Sequence, residues 1–115
     1  MVGFGFRVNH SFLFYPAHPI TVPRSQVDYG MVREMLLHDC DVWIIVPNAT
    51  PVRGIIYQGY AGYGPYYQIR SKEAIPLKAA GFARGDVVEV LILRAGKRVE
   101  VQIRLPPEGS RRSAA

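Results

Sequence analysis

The clearest pattern lies near the C-terminal end. In Arg98-Val99-Glu100-Val101-Gln102-Ile103-Arg104-Leu105 apolar and polar residues alternate without a fault. This predicts a strand with Val99, Val101, Ile103 and Leu105 on its buried face. Residues 87–93 are almost continuously apolar and predict a second strand, joined to the first by a hairpin at Ala95-Gly96-Lys97. Residues 41–47 form a short run rich in β-branched residues and closed by Pro47, which predicts a strand covered on both faces. Strand formers at 7–15 end at Pro16 and Pro19, with residues 1–7 as their lead-in, and 20–22 form a short extended piece before Pro23. Residues 52–57 and 67–70 predict strands on either side of a flexible loop, 57–67, which packs five tyrosines among glycines.

Helical periodicity occurs once. Val27, Met31, Val32, Met35 and Leu36 share one face of a helix predicted at about 25–38. Ser25 is placed to cap it, with Asp28 three residues on as the capping-box acid, and Gly30 costs it about 1 kcal/mol relative to alanine. Residues 77–80 predict a short second helix, started by Ile75-Pro76 and closed by Gly81, with Phe82 packing back over it. Six or seven short strands with little helix predict a mainly β (α+β) fold, a small closed or nearly closed β-barrel, because closure hides the edges of such hydrophobic strands. A chain of 115 residues has room for one core. That domain is expected at 1–107, followed by a polar basic tail at 108–115.

Composition adds exclusions. No apolar stretch approaches the roughly 18–20 residues of a membrane span, and the N-terminus lacks a secretory pattern. A cytoplasmic, non-membrane protein is expected. Cys40 is the single cysteine, so no internal disulfide exists. His38-Asp39-Cys40-Asp41 is the densest ligand-type cluster, but neighbouring residues in an extended chain point to opposite sides, and it reads as a solvated helix end with no metal site. No nucleophile elbow or phosphate-binding glycine loop is present, and no catalytic residue, enzyme activity or cofactor is expected.

Charge is uneven. Residues 1–50 carry three basic and four acidic side chains, whereas 51–115 carry eleven and five, so the whole excess behind the net +5 lies after residue 50. Arg53, Arg70, Lys72, Lys78 and Arg84 are candidates for phosphate contacts, and Tyr60, Tyr63 and Tyr66 for stacking on bases. The expected partner is therefore DNA or RNA, bound by a non-catalytic module. The competing reading is a protein-interaction or assembly subunit, in a phage or ribonucleoprotein particle or a homo-oligomer, with the tyrosine loop as interface.

The segment from Tyr66 to Pro107 reads as strand, short helix, tight turn (Ala83-Arg84-Gly85-Asp86), strand, hairpin, strand. This layout resembles the GD-box βαβ element of cradle-loop barrels, in which a glycine permits the corner and the aspartate carboxylate accepts from backbone N–H groups. Gly85 and Asp86 would be those residues. Val52-Arg53-Gly54-Ile55-Ile56, the stretch from Ala79 to Val90 and that from Arg98 to Pro106 are most similar to a small barrel domain of unknown function found beside bacteriocin-protection (OmpD-associated) proteins. The likeness extends more distantly to AbrB-like DNA-binding regulators and to the DNA-binding pseudobarrel of plant transcription factors and some restriction enzymes. It implies a small barrel, and DNA as a partner class; the helix at 25–38 has no counterpart in the AbrB-like pattern and is additional to it.

Overall fold

The alternating C-terminal segment forms the strand its pattern dictates, with Val99, Val101 and Ile103 fully buried. The computed structural model describes residues 2–7, 19–75, 80–83 and 85–105. Within them are β1 (Val2–Arg7), β2 (Ile20–Thr21), α1 (Tyr29–Leu37), β3 (Asp41–Ile45), β4 (Val52–Ala61), β5 (Gly64–Ser71), β6 (Val87–Ala95) and β7 (Arg98–Arg104). The strands make one seven-stranded mixed sheet in the order β1-β6-β7-β3-β4-β5-β2. All neighbours are antiparallel except β3 and β7, which run parallel with Trp43 beside Glu100. Among the described residues no pairing joins β1 to β2, so the sheet is open along its strand order. Phe4 on one terminal strand and Ile20 on the other nevertheless belong to a single hydrophobic core, to which α1 contributes Val32 and Met35.

Several elements differ from the sequence expectation. The first strand is the lead-in itself: Gly3 and Gly5 of β1 lie against β6, and a Cβ at Gly3 would come within 2.7 Å of the Leu91 side chain. The predicted strand at 7–15 falls beyond Arg7, outside the described residues. The helix begins four residues later than expected. Residues 23–27 form a turn in which the N–H groups of Gln26 and Val27 donate to the Pro23 carbonyl. Asp28, not Ser25, is the N-cap, accepting from Gly30 N–H at 2.9 Å. Val27, Val32 and Met35 are buried as the periodicity requires, while Met31 is exposed. Strand β3 buries one face only, with Val42 and Ile44 inward and Trp43 and Ile45 half-buried.

The largest correction concerns the tyrosine segment, which is a hairpin. β4 and β5 pair from Gly54↔Ser71 to Ala61↔Gly64 around the two-residue turn Gly62-Tyr63. The glycines that read as loop formers serve the strands: the Tyr66 ring lies over Gly59 in the space a Cβ would take, and Gly64 takes φ +113° to close the turn. The predicted second helix, apart from Ala80, and the polar tail lie outside the described residues. At the following corner Gly85 takes φ +95° and the Asp86 carboxylate accepts from Ala83 N–H at 3.0 Å. That is the local turn geometry the two residue types favour.

Candidate nucleic-acid interface

Strand alternation sorts the candidate residues by face. Ile56, Tyr67 and Ile69 are buried, which places the core side of the hairpin at even positions of β4 and odd positions of β5. Arg53, Ile55 and Tyr57 of β4, and Tyr66, Gln68 and Arg70 of β5, therefore stand on the outer face. Arg70 is opposite Ile55, and its guanidinium lies 5.1 Å from the Tyr57 ring centre. Tyr57 in turn donates its hydroxyl to the Gln68 side-chain carbonyl, and Gln68 Nε2 donates to Thr21 Oγ1 at 3.1 Å. Lys72 follows at the end of β5, exposed and without a carboxylate partner among the described residues.

The outer face continues onto β3 and β7 through a feature the sequence reading passed over. Trp43, the only tryptophan, is flanked by arginines from both neighbouring strands, Arg53 at 4.9 Å and Arg98 at 5.4 Å from its ring centre. The near-continuous apolar run at 41–47 predicts cover on both faces and so gives Trp43 no distinct role. The signal that identifies it as outward is parity: with Val42 and Ile44 inward, the residue between them faces out. Such cation–π contacts hold the guanidinium groups beside the ring.

Electrostatics on this face are mixed. Arg53 pairs with Asp41 at 3.4 Å, Arg98 with Glu100 at 3.0 Å and Arg104 with Glu89 at 2.8 Å. Glu100 also accepts from Gln102 at 3.3 Å. The bonds from Arg98 and then Gln102 hold the Glu100 carboxyl below its ordinary value, against the opposing effect of its partial burial. The acids thus neutralise much of the β3/β7 side, and the basic lean of the face is strongest at the Arg70 and Lys72 end of the hairpin.

Two of the proposed contact residues stand apart from that end, and a third, Arg53, lies opposite Lys72 within it. Tyr60 has core-side parity and projects from the opposite face, 76% exposed, where the hairpin overhangs the core. Tyr63 occupies the turn, 70% exposed, 6.5 Å from the Tyr66 ring. Arg53 is on the correct face but already engaged by Asp41 and Trp43. Lys78 and Arg84 lie outside the described residues. Arg24, missed in the sequence, belongs to the hairpin tip: it lies over the rings of Tyr29 and Tyr63 and donates to the Pro65 carbonyl.

The His38-Asp39-Cys40-Asp41 cluster disperses. His38 pairs with Glu34 at 3.1 Å, Asp41 turns to Arg53, and the Cys40 sulfur lies 4.0 Å from the Gly96 carbonyl oxygen. No helix among the described residues is long and apolar enough to cross a membrane. Comparison with protein-family models, curated proteins and solved structures finds no match for this chain.

Proposed function

We propose that this protein is a non-catalytic, cytoplasmic nucleic-acid-binding module that takes a single-stranded segment of DNA or RNA along the outer face of β3, β4 and β5. The observation that carries this reading is the interleaving of arginines with aromatic rings on one sheet face: Arg98, Trp43 and Arg53 in one row, Arg70 with Tyr57 in the next, and Tyr66 beyond. Aromatic rings offer bases a stacking surface, and guanidinium and ammonium groups offer phosphates charge, on a rigid sheet that needs little ordering to bind. Arg70 and Lys72 carry the phosphate contacts, and Tyr66 the stacking. The small-barrel reading, with Gly85 and Asp86 as its GD-box corner, accords with this. The terminal strands β1 and β2 both contribute side chains to one core, as a curled sheet would require.

The test is binding of mixed-sequence single-stranded and duplex oligonucleotides, followed by Trp43 fluorescence and by anisotropy over a salt series. Single strands are expected to bind, with log K falling linearly in log salt by about 0.7 per phosphate contact. Arg70→Ala with Lys72→Ala is expected to flatten that slope. No detectable affinity for either nucleic acid at low salt overturns the reading.

A further inference from the structure

The two edges of the overhanging hairpin are finished differently. Beyond β2 the edge of β5 is stopped, because Pro65 has no N–H and its carbonyl accepts from Arg24. The edge of β4 is open. β3 pairs with β4 only from Val52 to Gly54, so on the side away from β5 Ile55 to Ala61 run on with no strand beside them among the described residues. Lys72 N–H donates to the Arg53 carbonyl, which fixes the alternation. Backbone groups of Arg53, Ile55, Tyr57 and Gly59 point toward β5, and those of Ile56, Gln58 and Tyr60 point outward from the sheet edge.

Strand edges that remain single are guarded by lysine, proline, bulges or inward charge. β4 has none of these along its open edge. From Gly54 to Ile69 the chain has no charged side chain at all, although one residue in five is charged overall. A molecule with net charge +5 is repelled by its own copies, and this uncharged span is where two copies approach with the least opposition.

We propose that two copies of this chain pair antiparallel through the open edge of β4, about a twofold axis at Gln58. In that register Gln58 faces Gln58 of the second copy, and Ile56 faces Tyr60 of the second copy. Each such pair exchanges two backbone hydrogen bonds, about six in all. The contact is self-complementary, as a twofold interface must be. Tyr60 also finds a seat. A groove of about 300 Å³ opens between the end of α1 and β4, lined by Met35, Leu36 and Ile56 together with the charged Asp39, Asp41, Arg53 and Lys72. Opposite Ile56, and on the core-side face of the strand, the ring of Tyr60 from the second copy enters this groove and loses its exposure to water. The outer face that carries Arg70 and Tyr66 stays open to nucleic acid, whereas Lys72 lines the groove and is shared by the two surfaces.

Light scattering on the full chain over a concentration series tests this. The wild type is expected to approach twice its 12.9 kDa mass. Tyr60→Lys introduces a charge into the contact, and Gln58→Pro removes an outward N–H that the β5 ladder does not use. Each is expected to halve the mass while leaving the circular dichroism spectrum unchanged. Tyr60→Lys, at an exposed position, decides alone if Gln58→Pro does not fold. Hydrogen exchange supplies the register: the amides of Ile56, Gln58 and Tyr60 are expected to be protected in the wild type and to exchange freely in Tyr60→Lys. A wild type that stays at 12.9 kDa, a dimer that survives Tyr60→Lys, or rapid exchange of those three amides in the dimer overturns the proposal. Oligonucleotide binding, scored on Arg70→Ala, a residue outside the groove lining and the outward-pointing positions of β4, reads out the other function separately.

Discussion

Gly54 shows how much a single position of this sheet is constrained by what lies across from it. It faces the core opposite Val42, and a Cβ there would come within 2.9 Å of the Ile44 side chain and 3.1 Å of the Arg70 carbonyl oxygen. Backbone on one side and packed core on the other leave no room to yield. Gly54→Ala is expected to cost about 1–3 kcal/mol, read as a lower denaturant midpoint with an unchanged m-value. Gly59 differs in kind, since only the far end of the Tyr66 ring occupies its Cβ space. Gly59→Ala is expected to swing that ring aside, altering tyrosine fluorescence far more than stability. Glu100 supplies the pH dependence. Its folded-state pKa is lowered by Arg98 first and Gln102 second, so the pairing stabilises the fold above the unfolded-state pKa. That contribution is lost as pH falls through the lower, folded-state value. Arg98→Ala is expected to move the Glu100 titration upward in an NMR pH series, and Glu100→Gln to remove this part of the acid sensitivity.

Among the elements, α1 and the β4–β5 hairpin are the instructive pair. The helix was readable because its buried residues recur at helical spacing, yet its start was displaced from Ser25 to Asp28. Both residue types cap helices, and the choice was made by the turn at 23–27, which uses Pro23 carbonyl as an acceptor and buries Val27. Asp28→Ala is expected to lose about 1 kcal/mol, with a lower thermal midpoint and reduced helical ellipticity. The hairpin was hidden for a different reason. Glycine and tyrosine signal a loop when counted, but at Gly59 and Tyr66 they form a cross-strand pair in which one residue vacates the space the other fills. Only the register between two strands makes that pair visible. Tyr29 ties the two elements together, donating to the Val22 carbonyl at 2.6 Å and meeting Tyr67 edge-on at 4.8 Å. Tyr29→Phe keeps the ring contact and loses the bond, with an expected cost of about 1 kcal/mol by denaturation.

At the scale of the whole molecule, net charge is a poor guide to where an anion would bind. The excess after residue 50 was evident from the chain, but ion pairs with Asp41, Glu89 and Glu100 engage three of the arginines that produce it. Asp41 lies in the acidic first half and reaches Arg53 only because β3 and β4 are neighbours. Salt dependence of binding is therefore expected to reflect the few contacts at the Arg70 and Lys72 end, with a shallow slope, and not the full formal charge. What the sequence determined by itself was local in its physics. Alternation in 98–105, helical spacing in 27–36, the conformational freedom of Gly85 and the acceptor chemistry of Asp86 each depend on residues a few positions apart. The tertiary structure decided everything that needs two distant segments. It set the mixed strand order, the outward Trp43 between Arg53 and Arg98, the separation of Tyr60 from Tyr66 onto opposite faces, and the open edge of β4. Those features follow from strand register and from where β3 stops, which the order of side chains along one strand does not encode.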